Sequence, residues 1–264
     1  MNNSVKILVA APTFSEKDYC TLKYLQAIKK LDYDNYDHIM VDNSKPGNEK
    51  YLKRLKNLGI KAFHVPRGKN SREAISNSMN FIRDYFLKGD YNYLLIVESD
   101  LFPRPDTIKR LLSYNERVVG SYYLIGHEED DDKYYKPRDL FRKHLISKKE
   151  FDELTIGLQP RRACLFRLDM KPSGSLGTLN LPPDDGFKMF GTGLRQIHGC
   201  GLGCTLIRRE IIERFPFWTD KRFSNKHSDV YFYLKLENSD IPVFVDTDVL
   251  VEHQPSRWDS VDDM

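Results

Sequence analysis

Within the first hundred residues, four short apolar runs alternate with three stretches whose apolar residues recur at helical spacing, and this alternation restricts the fold more than any other feature. The runs cover residues 6–12, 38–44, 61–66 and 91–100. Each is close to continuously hydrophobic, as a strand buried on both faces requires. Between them, Leu22, Leu25, Ile28 and Leu31, then Tyr51, Leu52, Leu55 and Leu58, then Ile75, Met79, Ile82 and Phe86 predict three helices. Ser15 is expected to cap the first, with Asp18 three residues on, and Gly59 to end the second. Such a chain folds as an α/β protein with a mostly parallel central sheet flanked by helices. Ligands of such sheets sit at the carboxyl ends of the strands, here Pro12-Thr13, Asp42-Asn43-Ser44, Pro66-Arg67 and Glu98-Ser99-Asp100.

Beyond residue 100 the pattern changes. Residues 118–125, VVGSYYLI, read as a further strand, and the acidic run at 128–133 as a solvated, mobile loop. From about 126 to 195 the periodicity is weak, which suits an irregular active-site excursion better than a second domain. HGCGLGCTLIRREIIERFPF reads as a glycine-rich turn, a short strand and a helix. Residues 229–239 then predict a helix, and 241–253 a strand, a turn and a strand; the last ten or so residues are polar and read as loosely held. No internal repeat is present, and 264 residues suit one domain.

Composition narrows the function. The formal net charge of +3 gives no vote for a dedicated nucleic-acid binder. No stretch approaches the ~20 apolar residues needed to span a bilayer, and the first residues lack the pattern of a secretory signal. Cys20, Cys164, Cys200 and Cys204 are scattered and read as reduced thiols of a cytoplasmic protein. Cys200 and Cys204 lie near His198, but a fourth zinc ligand and a C-x-x-C spacing are both lacking, so they read as small buried residues.

The chemistry concentrates at the fourth run, where Leu94–Val97 leads directly into Glu98-Ser99-Asp100. Alternate side chains of an extended chain share a face, so Glu98 and Asp100 point the same way. Paired carboxylates repel unless a cation or a sugar hydroxyl takes up their lone pairs. Oxygen ligands of this kind suit Mg²⁺ or Mn²⁺ bridging a diphosphate. The alternative is an ordinary strand exit with exposed acids.

In these residues and their order the chain resembles a GT-A fold glycosyltransferase, similar to the broad glycosyltransferase family two. The resemblance implies a GT-A-like Rossmann-type sandwich over 1–264. Residues 1–100 would form the nucleotide-sugar-binding half, and 101–264 the acceptor-binding half with its flexible excursion at about 126–195. The family's D-x-D motif would be Glu98-Ser99-Asp100, with Glu in place of the first Asp. Asp100 is then the firmer metal ligand, and Glu98 meets the metal, the ribose or a metal-bound water. KILVAAPTF is similar to the opening strand whose proline and following residue, here Pro12 and Thr13, touch the nucleotide. VDNS resembles V-D-D-x-S, whose first acid, Asp42, meets the base. RGKNSREAISNSMNFI is a degraded form of the helix start N-x-G-x-x-x-A-R-N, making Asn70 and Arg72 candidates for donor contacts.

The glycine-rich stretch would let Gly199, Gly201 and Gly203 bring backbone close to the sugar, unless the glycines serve close strand packing. In the family's E-D motif the Asp is the catalytic base; here it is Asp229, with Ser228 replacing the preceding acid. The competing role for Asp229 is a helix N-cap. His253 matches a terminal histidine that serves as a further metal ligand, against the plainer role of a surface or core histidine.

The resemblance thus implies transfer of a sugar from a nucleoside-diphosphate sugar to an acceptor hydroxyl, with Mn²⁺ or Mg²⁺ and with inversion. Retention stays open, because some GT-A families share the frame without a dedicated base. The acceptor is a glycan, a small molecule or a modified nucleic acid, the last suggested by the basic and aromatic residues of 138–150 and by Arg161 and Arg162. Two other classes compete. A nucleotidyltransferase carries a glycine-rich basic loop after its first strand, which APTFSEKD lacks; a non-catalytic nucleotide- or glycan-binding module would have lost the base.

Overall fold

The computed structural model describes residues 5–170, 176–180, 183–218 and 227–255. The polar tail past residue 255, read above as loosely held, lies outside them. A central sheet carries the molecule. Its path begins with the four strands expected from the first hundred residues: β1 (Ile7–Thr13), β2 (Tyr36–Asp42), β3 (Lys61–His64) and β4 (Tyr93–Val97). They lie side by side in the order β3-β2-β1-β4, all parallel. The register sets Thr13 beside Asp42 and Asp42 beside His64, so the polar strand ends line one edge.

The second half extends the sheet from β4 through β12 (Cys204–Arg208), β6 (Val118–Ile125), β13 (Val243–His253) and β10 (Leu194–Ile197). Strand β12 is antiparallel to both neighbours, β6 and β13 are parallel, and β10 runs antiparallel to β13. Four of the seven pairings along this path are therefore parallel.

Alternation along β1 decides which helix covers which face. Leu8 and Ala10 belong to a core shared with α3 (Ser71–Lys88), α8 (Arg209–Arg214) and α9 (Ser228–Glu237). Ile7, Val9 and Ala11 face the other core, shared with α1 (Thr21–Lys29), α2 (Glu49–Asn57) and α4 (Thr107–Ser113). Met79, Ile82 and Phe86 of α3 are fully buried, each contributing about 1.5–3 kcal/mol over an exposed position. Asn70 caps this helix, its side chain accepting from Glu73 N at 3.0 Å. Gly59 ends α2 in the left-handed region, φ +79°, as its position predicted.

Several expectations are corrected. Ser15 does not cap a helix: it opens a 3₁₀ turn (Ser15–Cys20) and donates its N–H to Ser44 Oγ at 2.7 Å, and α1 begins only at Thr21. This later start rotates the buried face, so Tyr24 is buried where Leu22 was expected and Leu22 is half exposed. The stretch at 241–253 is not two strands around a turn but one strand with a bulge, the register slipping between Asp246 and Leu250. Arg110 reaches both Asp246 and Asp248 there, which anchors the irregular backbone.

The acidic run at 128–133 is not a loose loop. It forms a 3₁₀ turn (Glu128–Asp130) and the first turn of α5 (Asp131–Arg142). Asp130 accepts from Gln159 N at 3.0 Å, and Asp131 from Arg161 N and Nε at 2.7 Å each. Carboxylates at a helix N-terminus are favoured by its dipole and by the orphan N–H groups there, which is why an acidic cluster could order this segment. With α6 (Lys148–Thr155), α5 forms a helical hairpin within the excursion. Among the described residues no helix is long and apolar enough to cross a membrane.

Candidate active site

The end of β4 is the centre of the site. After Val97 the chain turns tightly, Leu101 N donating to Glu98 O at 2.9 Å, and re-enters extended form as β5 (Leu101–Phe102). Strand β5 pairs antiparallel with the end of β13, setting His253 beside Leu101. Gln254 N donates to Asp100 O at 2.9 Å, closing the same junction. A two-residue strand thus carries a histidine from the far end of the chain to the Asp100 carboxylate.

There, His253 Nε2 lies 3.2 Å from Asp100 Oδ2, while Nδ1 donates to Leu124 O at 2.8 Å. The carbonyl partner on Nδ1 directs Nε2 at Asp100: as imidazolium the ring donates from Nε2 to Oδ2, and loss of that proton leaves Nε2 able to take a metal. Asp100 is buried, and its Oδ1 has no hydrogen-bond partner. Burial pushes the Asp100 carboxyl up, but the hydrogen bond from His253 and the charge of Lys17 outweigh it, so the net shift is downward. For His253 burial acts downward, and Asp100 more than compensates, raising it above its ordinary value. Glu98 is half-buried; desolvation first, and the Asp100 charge second, push it up to about 7. Asp229 adds to that rise, so its carboxylate lies within electrostatic reach of Glu98.

Asp229 sits in the first turn of α9. The N-cap is His227, without a side-chain cap bond; Asp229 Oδ1 accepts from Val230 N at 2.7 Å. Burial raises its carboxyl above the ordinary value, with His227 opposing. Ser228, where the resemblance expects an acid, is fully buried with its Oγ unpartnered.

The structure therefore gathers Glu98, Asp100, His253 and Asp229 at one edge. Among the described residues no three His, Cys, Asp or Glu side chains converge tightly enough to hold a metal by themselves, so Glu98 does not complete a set with Asp100 and His253. Asp100 and His253 are left as two candidate ligands, one carboxylate and one imidazole, fewer than a divalent cation takes without substrate phosphates or water. The bare Asp100 Oδ1 and the oriented imidazole fit a divalent cation.

The other expected donor contacts lie along the strand ends and at the α3 N-terminus. Pro12 is half-buried at the edge. The Thr13 hydroxyl is buried against Tyr51 Oη at 2.8 Å. Asp42 is buried, its Oδ1 accepting from Ser44 N at 2.9 Å and its Oδ2 facing His64 Nδ1 at 3.1 Å. Ser99 is buried, its carbonyl accepting from Cys20 Sγ. Asn70 is occupied as the α3 cap, and Arg72 beside it is half-buried with an unpartnered Nε.

The glycines answer to packing. A Cβ on Gly201 would stand 2.1 Å from Tyr123 Oη and 2.7 Å from Cys164 Sγ; on Gly203, 2.4 Å from Leu101 Cδ1; on Gly199, 2.5 Å from the Phe166 ring. Cys200 and Cys204 are fully buried, and burial pushes their thiols up to about 11 and about 12, so they stay protonated. His198 lies beside Glu237 instead, which leaves no zinc site among the described residues.

Lys17 and Phe14 were missed, and Arg67 was read only as part of a strand end. Lys17, in the 3₁₀ turn, places its ammonium on Asp100 Oδ2. Arg67 lies over the Phe14 ring at 5.3 Å and reaches Asn43 Oδ1 at 3.4 Å, at the ends of β1, β2 and β3. No local pattern marks these; only the sheet brings them together.

A family model described as glycosyl transferase family 2 matches residues 9–215. The chain belongs to glycosyl transferase family 2. The match takes in Glu98 and Asp100 and ends before Asp229 and His253. Among solved structures, the chain is similar to the mannosyltransferase PcManGT from Pyrobaculum calidifontis in complex with GDP-Man and Mn²⁺. The TM-score is 0.54 and the identity 15%, over 97% of this chain and 59% of that one. It is also similar to S. aureus TarS 1-349 in complex with UDP-GlcNAc, with TM-score 0.53 and 11% identity over 97% and 60%. At these identities the likeness shows the GT-A-type fold, and the chain spans about three fifths of the length of each. No curated protein sequence gives a significant match.

Proposed function

We propose that this family 2 glycosyltransferase moves a sugar from a nucleoside-diphosphate sugar to an acceptor hydroxyl, with a divalent cation held by Asp100 and His253. The observation that carries the reading is the meeting of these two side chains, one oxygen of Asp100 being buried without a partner and His253 turned by Leu124 to offer Nε2. Mn²⁺ or Mg²⁺ bound there would neutralise the diphosphate and stabilise it as a leaving group. That PcManGT was captured with GDP-Man and Mn²⁺ supports the choice of donor and ion.

The chain's own residues do the rest. Asp229 takes the proton from the acceptor hydroxyl; its raised carboxyl pKa makes it a better base than an exposed aspartate. Attack from the side of Asp229, opposite the diphosphate, inverts the anomeric centre. Glu98, pushed up to about 7, serves as a hydrogen-bonding partner to the ribose or a sugar hydroxyl, not as a metal ligand. Pro12, Thr13 and Asp42 shape the nucleoside end. Asp42 acts there through the Ser44 N–H and His64 that it orients, and the Phe14 ring with Arg67 flanks the base. Ser99 holds the turn between the two acids, Gly201 keeps the floor of the site closely packed, and Asn70 aims Arg72 from the α3 N-terminus.

The continuous sheet supports reading residues 1–264 as one catalytic domain, with donor-binding and acceptor-binding halves meeting at β4 and β12. Four unpaired thiols support a reducing, cytoplasmic setting. An anionic acceptor would meet the exposed turn between α5 and α6, but there Arg142 pairs with Asp184, Lys148 with Asp152 and Lys149 with Glu153, so the basic run is largely neutralised within the protein.

The test is release of nucleoside diphosphate from a panel of UDP-, GDP-, CDP- and dTDP-sugars with Mn²⁺, Mg²⁺ or EDTA. Metal-dependent release from one donor is expected and names it; release unaffected by EDTA would remove the metal from the reading, and binding without release would leave a non-catalytic module.

A further inference from the structure

Arg161 and Arg162 are neighbours in the chain with opposite surroundings. Arg161 is neutralised: its N and Nε each donate to Asp131 at 2.7 Å, and Nη2 lies 3.2 Å from Glu128. Arg162 is half-buried, yet among the described residues it makes no ion pair, and its Nε is closed off from solvent with no hydrogen-bond partner. Arg138 stands near it and brings no relief. Its guanidinium lies 4.6 Å over the Tyr135 ring, with Nη2 on Asp184 at 3.0 Å and with Nε and Nη1 bare in the same way. Burial pushes the Tyr135 hydroxyl up to about 12, and the charges of Arg138 and Arg162 both work against that rise, so two cations flank one ring. Withdrawing a guanidinium from water without an anion costs free energy, so one that the fold holds unpaired is matched to a ligand that carries the charge.

Arg162 opens β7 (Arg162–Ala163), laid antiparallel on the end of β6. This short strand touches both sides of the reaction centre. Ala163 pairs with Leu124, whose carbonyl holds His253. Cys164 continues the ladder, its N donating to Tyr123 O at 3.0 Å. Alternation puts Arg162 and Cys164 on one face. Burial pushes the Cys164 thiol up to about 12 and the Asp229 charge adds to the rise, which brings this face within reach of the base. The nucleoside end, formed by β1, β2 and β3, lies on the far side of β4; the sheet order β3-β2-β1-β4-β12-β6 sets Arg162 on the opposite flank. We propose that Arg162 binds an oxyanion of the acceptor, a phosphate or carboxylate carried close to the hydroxyl that receives the sugar. The proposal rests on Asp229 marking the acceptor side of the site. The planar guanidinium offers paired N–H donors that match either group in bidentate fashion, which orients the acceptor as well as holding it.

Nuclear magnetic resonance of the arginine Nε–H groups tests this on the full chain grown with isotope-labelled arginine, the Arg162 signal being identified by its loss in Arg162→Lys. Inorganic phosphate and acetate are titrated separately, first alone and then with Mg²⁺ and saturating UDP, GDP, CDP or ADP. The Arg162 Nε–H is expected to shift saturably with at least one anion, at concentrations roughly tenfold below those that move the exposed Arg104, as a charge-assisted pair in a half-buried site requires. The anion that binds more tightly names the group as phosphate or carboxylate. The shift should persist with nucleotide present, because donor and acceptor occupy separate flanks. Loss of the shift whenever a nucleotide binds would make Arg162 a ligand of the donor's diphosphate and overturn the proposal. Absence of a saturable shift with either anion overturns it as well; so does the same result across every arginine signal, should Arg162→Lys not fold. Anion binding at Arg162 without nucleotide binding under any condition would confirm the oxyanion site and sink the donor reading of Asp100 and His253 instead.

Discussion

His253 Nε2 and Asp100 Oδ2 stand 3.2 Å apart although 153 residues separate them in the chain. The pairing of β5 with the end of β13 enforces this approach, and the Leu124 carbonyl sets the ring orientation. Asp100→Asn and His253→Ala should each lower metal-dependent donor hydrolysis by about a hundredfold or more, in keeping with the several kcal/mol a Lewis acid supplies. Steady-state kinetics across Mn²⁺ concentration checks this. Wild-type rates in either variant would place the metal elsewhere.

The desolvated carboxylate of Asp229 carries a cost in stability. Its folded pKa is raised, so the group favours folding below its unfolded pKa and loses that contribution as pH rises through the folded value. Asp229→Asn should therefore raise the melting temperature at pH 7, with the gain shrinking as pH falls through the folded value and disappearing below the unfolded value of about 3.8, where the wild-type group is protonated in both states. The same change should abolish transfer and leave nucleotide binding intact. The acidic limb of wild-type kcat/KM should lie above the ordinary aspartate range; transfer surviving in Asp229→Asn would show that another group is the base.

Gly201 packs against Tyr123 and Cys164. An added Cβ would be 2.1 Å from Tyr123 Oη, closer than the site can accept without rearrangement. Gly201→Ala should cost about 2–3 kcal/mol, at the upper end for overpacking a tight core. Tyr123→Phe removes the clashing oxygen, so urea denaturation of the double variant should recover part of the loss, a non-additivity that reports direct contact. Strict additivity would place the cost in the backbone.

His38 makes acid stability testable away from the site. Burial lowers it to about 4 from an ordinary 6.5, with Tyr24 Oη 3.1 Å from Nε2. A depressed pKa contributes stability that is present above the unfolded value and lost as pH falls through the folded one. Unfolding free energy should thus drop by about 2 kcal/mol between pH 6.5 and 4, the full shift being discounted for the partial exposure of the ring. His38→Gln should flatten that slope, and an unchanged slope would place the acid sensitivity elsewhere.

The parallel half of the sheet was legible in the chain because burial on both faces demands near-continuous apolar runs, and the Pro, Gly and Asn residues between them have local reasons to break or cap. The position of Glu98 and Asp100 was legible for a related reason: two acids directly after an apolar run mark the strand's end, which in a parallel sheet lies on the edge shared with the other strand ends. The order of the strands past β4 was not, since β12, β6 and β13 are brought together by pairings between distant segments, two of them antiparallel. Nor was the role of the acidic run at 128–133, whose carboxylates find partners at Gln159 and Arg161 only after the excursion folds back. Local chemistry alone determined the four parallel strands, the helices between them, the edge where those strands end and the types of residue on it. Only the tertiary structure decided that Lys17 meets Asp100, that His253 turns Nε2 toward it, and that the glycines make room for Tyr123, Cys164, Leu101 and Phe166, because each of these is a contact between segments that share no sequence period.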